Sequence, residues 1–302
     1  MRSLMKKNIL ETRSDRILII VFYVILFVLS LICLYPVVLA FSTAFSSENI
    51  VSQNGYSLLP QEPTLDTFKY LLSQKLDTMV NAYGVTILVT VIGTAVSLVV
   101  TLMYSFVISV PGFRHANKFA FFAYFTMLFN GGMLPWYILC TKYYHISNSV
   151  WGLILPYAMN VFNMFLLRNY LKTIPEALYE SARIDGAGYG TIFFHISLPL
   201  SQVGMVTVGL FYGLSYWNDF YLPLMLISKD KLSTIQYLLY RMMGNLQFLA
   251  TNSSSSIASQ ISPPMQTAKM AMSVLAIGPI IFLYPFVQKY FVKGIIVGAI
   301  KG

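Results

Sequence analysis

Two sets of residues in this 302-residue chain have types and spacings that could do more than fill a core. The first is the polar stretch 175–199, PEALYESARIDGAGYGTIFFHISLP, in which Glu180, Ser181 and Ala182 are followed after three residues by Gly186, and after nine more by Ile196, Leu198 and Pro199. Its small residues Ala177, Ser181, Ala182, Gly186, Ala187 and Gly188 would let another surface come within backbone distance. The second set is Tyr157, Asn160, Asn163, Tyr212, Tyr216, Trp217, Asn218 and Asp219, polar or aromatic groups set inside otherwise apolar runs. Asp219 is the one clearly ionisable side chain so placed, and ionisable groups inside membrane spans tend to mark solute or ion pathways.

Other chemistry is missing from the sequence. It has no G-x4-G-K-[ST] phosphate loop, no G-x-G-x-x-G after a strand, no H-E-x-x-H and no G-x-S-x-G. His115, His145 and His195 are separated by apolar runs and cannot converge on one metal. Cys33 and Cys140 both lie in apolar runs and read as packing residues, not as a disulfide or a thiolate metal site. The expectation is a chain without catalytic residues, metal or cofactor of its own.

The elements that must position these residues follow from composition. At 57% hydrophobic, 15% aromatic and 10% charged residues, with mean hydropathy +0.67, the chain belongs in a bilayer. Apolar runs at 17–45, 82–110, 119–140, 149–169, 197–227 and 270–292 each reach the roughly 20 residues that a helix needs to cross hydrocarbon. They are too long for barrel strands, so the reading is an all-α polytopic membrane protein with six transmembrane helices. The run 17–45 is about twice the length of a signal-peptide core and reads as an uncleaved first span, with Pro36 expected to kink it.

The net charge of +9 reports topology here, not affinity for nucleic acid. With the N-terminus inside, the inner segments hold thirteen basic residues: Arg2, Lys6, Lys7, Arg13, Arg16, Arg114, Lys118, Arg168, Lys172, Arg183, Lys289, Lys293 and Lys301. The outer segments hold seven: Lys69, Lys75, Lys142, Lys229, Lys231, Arg241 and Lys269. The excess puts both termini, the segment 1–16 and the stretch 175–199 in the cytoplasm.

Within 175–199, Thr173 can cap a helix that begins at Pro175, and Glu176 lies where the helix dipole favours an anion. ALYESARI continues that helix, Asp185-Gly186 turns it, and a second short helix is predicted from 189 to 196 before Pro199 opens the next span. Glu180 and Arg183 are spaced to pair on one helix face, as they would in an ordinary interfacial helix pair. Of the outer segments, 46–80 reads as a polar loop. The longer 228–269 has a helix-like part from Tyr237 to Phe248 and a Ser-rich part, and is either a solvated loop or a docking surface for an extracellular partner. Residues 17–302 read as a single membrane domain.

The order Glu-Ser-Ala, x3, Gly, x9, Ile-x-Leu-Pro resembles the EAA loop of ABC importer membrane subunits, with Ser181 in place of the first Ala. FNGGMLPWYIL at 129–139, the stretch 149–178, WNDFYLPLMLIS at 217–228 and the tail 291–302 resemble carbohydrate-importer permeases of the MalG type, within them the LplC/YtcP branch. The resemblance implies a type I ABC importer permease fold and an oligosaccharide importer of the bacterial plasma membrane. It also implies a heterodimer with a second homologous permease, two cytoplasmic ATPase subunits that bind ATP and Mg, and an extracellular solute-binding lipoprotein. On that carry-over Glu176, Glu180, Ser181, Ala182, Arg183, Asp185, Gly186, Ala187, Ile196, Leu198 and Pro199 couple the chain to the ATPase. The tail 292–302 would reach the ATPase interface, and 228–269 the binding protein. ATP hydrolysis would fall to the partners, so the chain is not itself an enzyme.

For a sugar, aromatic faces and hydrogen-bonding side chains make Tyr157, Asn160, Asn163, Tyr212, Tyr216, Trp217, Asn218 and Asp219 the pathway candidates. Tyr212, Tyr216, Asp219 and Pro223 are spaced to share one helical face, and Gly209 and Gly213 to form a helix-packing face. An ABC importer for another solute, or an ion-coupled carrier, are the alternatives.

Overall fold

The computed structural model describes residues 13–251 and 266–278, and every regular element among them is a helix. These residues divide into two compact bodies, one drawn from Met1–Ser73 with Leu249–Leu275, the other from Gln74–Phe248 with Ala276–Gly302.

In the first body, α1 (Arg13–Ala44) runs unbroken through Pro36, and every side chain from Ile20 to Val38 is exposed. Its last turn is buried at Ser42, Thr43 and Ala44, so the exposed apolar length from Ile20 to Val38 is a lipid-facing or subunit-facing surface. The short α2 (Glu48–Asn54) follows, and α3 (Asp66–Val107) starts with the Asp66 N–H donating to Thr64 Oγ1 at 3.1 Å. The segment 46–80, expected as loop, is therefore partly helical. Leu71, buried on the first turns of α3, shows why: the periodic apolar positions there outweigh the scattered polar ones. The Glu48 carboxylate accepts from the N–H groups of Gln266 (3.0 Å) and Thr267 (2.8 Å) and from Thr267 Oγ1 (2.7 Å), which satisfies the first donors of the helix over 266–278.

In the second body the later turns of α3 form the central post. Val89, Leu102 and Phe106 share a buried core with Leu153, Ile154, Leu167, Val208, Tyr212 and Tyr216. At Gly93 a Cβ would stand 2.7 to 2.9 Å from the Tyr216 ring, so the absence of a side chain sets the helix separation there. Gly204 meets the Tyr170 ring in the same way, at 2.7 Å. The expected packing pair Gly209 and Gly213 lies near Leu98 and Thr94 with ordinary spacing, so the tight approach is made elsewhere.

The apolar runs are not all single helices. In 119–140, α4 (Ala116–Leu128) stops, and Gly132 takes φ 89° with its N–H on Asn130 Oδ1. Then α5 (Met133–Ile138) winds into a wider π turn at Leu139–Tyr143. In 149–169, α6 (Val150–Ile154) and a 3-10 turn meet α7 (Val161–Lys172) at a 55° bend after Pro156. Among the described residues two helices alone are long and apolar enough to cross a membrane, Ile17–Ala44 and Leu76–Val107. There are four if each bent pair counts as one span, the second pair being Tyr189–Leu200 with Gln202–Trp217. Most of the expected sixth span, the Ser-rich segment, residues 1–12 of the N-terminal segment and the tail 292–302 lie outside the described residues.

Candidate functional site

The stretch 175–199 is built from backbone geometry upward. The Thr173 hydroxyl donates to the Tyr170 carbonyl at 2.8 Å, so it closes α7 instead of capping the next helix. The cap is Pro175, whose carbonyl accepts the Leu178 N–H at 3.1 Å, and α8 spans Glu176–Ile184. It ends in paired bonds, Gly186 N–H to Arg183 carbonyl (3.0 Å) and Ala187 N–H to Ala182 carbonyl (2.9 Å), with Gly186 at φ 78°. This is the Schellman stop, in which the left-handed residue falls four positions after the carbonyl that takes the longer of the two bonds, here Ala182. The fixed distance between Ala182 and Gly186 is thus the distance a helix needs to terminate. The returning limb is α9 (Tyr189–Ile192), a π turn at Phe193–Ser197 and α10 (Leu198–Leu200), close to the predicted second helix. It meets α11 (Gln202–Trp217) at a 78° bend.

The side chains of the stretch divide by direction. Ala182, Ala187, Ile196 and Leu198 pack against the core, and buried Tyr179 sets its hydroxyl 3.2 Å from the hydroxyl of buried Ser197. Glu176, Glu180, Ser181, Asp185, Gly186 and Pro199 are exposed, as is Ile184 at 85%. No atom would meet a Cβ at Gly186, Gly188 or Gly190 within 4 Å. The outer face is therefore low, open and partly apolar, and it carries the exposed carboxylates of Glu176, Glu180 and Asp185. Arg183 does not pair with Glu180. It donates to the Pro111 carbonyl at 2.6 Å, in the turn between α3 and α4, and its guanidinium lies 5.6 Å above the Tyr189 ring. Tyr179, Ser197 and Pro111 were not singled out from sequence. The available signal was Tyr179, the one aromatic residue on the helix Glu176–Ile184.

The second set converges in part. Tyr157, Asn160, Tyr212, Asn218 and Asp219 line one cleft of about 540 Å³ together with Ser215 and Tyr221. A hollow of about 290 Å³ shares Tyr157 and Tyr221 with it and adds Asn130 and Trp136. Helix α11 ends at Trp217 and Asn218 closes it, its Nδ2 on the Leu214 carbonyl. Asp219 lies beyond that end, one residue before the N-cap Phe220 of α12 (Tyr221–Leu226), and accepts the Tyr221 N–H at 3.0 Å and the Tyr157 hydroxyl at 3.2 Å. The single face expected for Tyr212, Tyr216, Asp219 and Pro223 is not formed, because the helix that would carry it stops short.

The tyrosine hydroxyls are already committed. Tyr212 shares its hydroxyl with Thr101 Oγ1 (2.6 Å) and accepts the Asn160 N–H (2.8 Å); Tyr216 donates to the Ile154 carbonyl (2.9 Å) and pairs with Ser97 (2.8 Å). Asn160 caps α7 through its Oδ1 and the Asn163 N–H, while Asn163 itself is buried. Trp217 is buried with its indole N–H on the Ala276 carbonyl. Asn163, Tyr216 and Trp217 therefore brace the cleft without lining it. Ser215 and Tyr221 line the cleft and Trp136 lines the adjoining hollow, and all three were missed by sequence reasoning. In the outer segment, α13 (Ile235–Thr251) covers the helix-like part of 228–269. No cluster of metal-ligating side chains occurs among the described residues.

A family profile described as "Binding-protein-dependent transport system inner membrane component" matches residues 81–297, which include both the loop and the cleft. The chain belongs to that family. Among curated relatives of this permease, the polygalacturonan/rhamnogalacturonan transport system permease protein YtcP of Bacillus subtilis (strain 168) is 35% identical over 289 residues, covering 96% of this chain and all of the relative. LplC of the same organism is 35% identical over 271 residues, 90% of each chain. The arabinooligosaccharides permease AraQ of Halalkalibacterium halodurans is 26% identical over 282 residues, 91% of this chain and 93% of that one. Among solved structures, a chain of a bacterial ABC transporter involved in the import of the acidic polysaccharide alginate superposes with TM-score 0.77 at 32% identity, covering 93% of this chain and 99% of that one. This permease is thus a helical membrane protein with an ABC importer permease fold, and its relatives are carbohydrate ABC permeases.

Proposed function

We propose that this permease is one of two homologous membrane subunits of an ATP-driven importer that carries oligosaccharides across the bacterial cytoplasmic membrane. Its residues 17–302 act as one permease domain with both termini inside. The loop 175–199 seats in a groove of a cytoplasmic ATPase, the outer segment 228–269 meets an extracellular solute-binding protein, and the tail 292–302 lies at the ATPase interface. ATP and Mg act on the partner subunits, where hydrolysis takes place. The observation that carries this reading is the open outer face of the loop. Ile184 stands 85% exposed, Leu178, Tyr189 and Phe194 are exposed with it, and Gly186, Gly188 and Gly190 have empty space above them, which leaves open apolar surface on the loop. The printed names of the relatives support a saccharide as cargo.

ATP-driven closure of the ATPase pair would draw the coupling loops together and open the outer side of the pathway, so that sugar released by the binding protein enters the cleft beside Asp219. The test is reconstitution in proteoliposomes with the partner permease, ATPase and binding protein. Oligosaccharide should accumulate only with ATP and all subunits present. Uptake by this chain alone under an ion gradient would overturn the reading in favour of a secondary carrier.

A further inference from the structure

Among the described residues, the lining of the cleft beside Asp219 carries one formal charge, and it is negative. Lys, Arg and His are absent from its described lining and from that of the adjoining hollow. The Asp219 carboxylate is held by the Tyr157 hydroxyl and the backbone N–H groups of Tyr221 and Leu222, which are neutral donors, so the charge is solvated by dipoles but not cancelled. Around it stand the amides of Asn160 and Asn218 and the hydroxyl of Ser215, groups that can both donate to and accept from sugar hydroxyls. Trp136 and Tyr221, with ring centroids 6.0 Å apart, offer aromatic surface for the C–H face of a pyranose or furanose ring.

We propose that this chain's side of the pathway selects neutral, hydroxyl-rich glycan units and rejects uronate units; the proposal rests on the oligosaccharide-importer reading above. A neutral sugar meets Asp219 with hydroxyl protons, which a carboxylate accepts strongly. A uronate meets it with a second carboxylate, and the described lining offers no cation to offset the pair, so the like charges repel. The contrast is with the acidic polysaccharides named for YtcP and for the alginate importer.

The test uses the whole complex of both permeases and the ATPase, with the binding protein left out so that its own preference does not filter the sugars. Binding is measured for a panel of neutral tetrasaccharides (gluco-, galacto-, manno-, xylo- and arabino-) and for tetrauronates of matched length. At least one neutral member should bind tenfold or more tighter than every uronate. Asp219→Asn should shrink that ratio to threefold or less by improving the uronates, because it removes the charge while the Asn Oδ1 can still accept the Tyr221 and Leu222 N–H groups and leave the fold in place. Asn218→Arg, at the exposed rim, should improve uronate binding further. Binding of no neutral member, uronate binding as tight as neutral, or an unchanged ratio in Asp219→Asn would each overturn the proposal. ATP-driven oligosaccharide uptake in proteoliposomes separates the two readings: if it persists, only the selectivity proposal falls, and if it is absent, both fall.

Discussion

The hydroxyl of Tyr179 lies 3.2 Å from that of Ser197, both groups buried, and this bond joins the outgoing and returning limbs of the 175–199 loop. Tyr179 immediately precedes the Glu180-Ser181-Ala182 triplet, and Ser197 is the variable position between Ile196 and Leu198. The pattern's two ends are thus tied through residues that the pattern itself leaves free. Tyr179→Phe should lower stability by about 1 kcal/mol, the usual net worth of a buried neutral hydrogen bond. Ser197→Ala should cost about the same, and the double variant less than the two together, because each single change orphans the other hydroxyl. Thermal unfolding of the purified complex, read as a double-mutant cycle, checks this; strict additivity would show that the two hydroxyls are not coupled.

At Gly186 the backbone and the outer surface make separable demands. Its φ of 78° costs an ordinary residue about 1 kcal/mol, while the space above it is empty. Gly186→Ala should therefore lower the melting temperature slightly and keep ATPase association. Gly186→Trp should insert into membranes normally but fail to co-purify with the ATPase, as should Glu180→Lys. Unchanged co-purification of both would remove the loop from its proposed role.

Arg183 reaches from the loop to the Pro111 carbonyl, in a turn where Gly112 takes φ 86°. It is a positioning residue that ties the loop to the end of α3. Arg183→Gln should leave ATPase association intact but reduce sugar transported per ATP hydrolysed severalfold, with Arg183→Lys recovering part of the loss. A purely structural role would lower both rates in proportion and leave their ratio unchanged.

Gly93 has no room for a methyl group. A Cβ there would overlap the Tyr216 ring, whose hydroxyl is fixed by Ser97 and the Ile154 carbonyl and cannot simply swing aside. Gly93→Ala should destabilise by about 1–3 kcal/mol despite alanine's better helix propensity. The melting temperature should fall and recover in part when Tyr216→Leu is added.

The loop was legible in the sequence because its determinants are local. A proline start, a glycine stop and small residues between them act within a few positions, and the two short helices appear where those residues put them. The breaks at Phe129–Gly132 and at Ala158–Asn160 were hidden, since hydropathy registers composition, and Asn-Gly-Gly or Pro inside an apolar run barely changes it. The candidate list for the cleft was partly right for a related reason. Tyr212 and Tyr216 stood out as polar aromatics in an apolar run, but their partners Thr101 and Ser97 lie more than a hundred residues away, on a helix whose Ser and Thr look like any others. Trp136 and Tyr221 come together only through the turns that close α4 and α11, which the sequence pattern had joined into longer helices.

The 78° bend at Ser201 makes the returning limb a crank. The twelve residues of Tyr189–Leu200 give an arm of about 18 Å, and turning it by about 10° carries its tip about 3 Å. Under the proposed coupling, a push on the tip becomes a torque on α11, whose far end at Trp217 borders the cleft, instead of a straight piston stroke. One inserted residue would lengthen the arm by only about 1.5 Å but swing everything beyond it by about 100° around the helix axis. The nine residues between Gly186 and Ile196 are in that sense a machined length, fixed by rotation more than by reach.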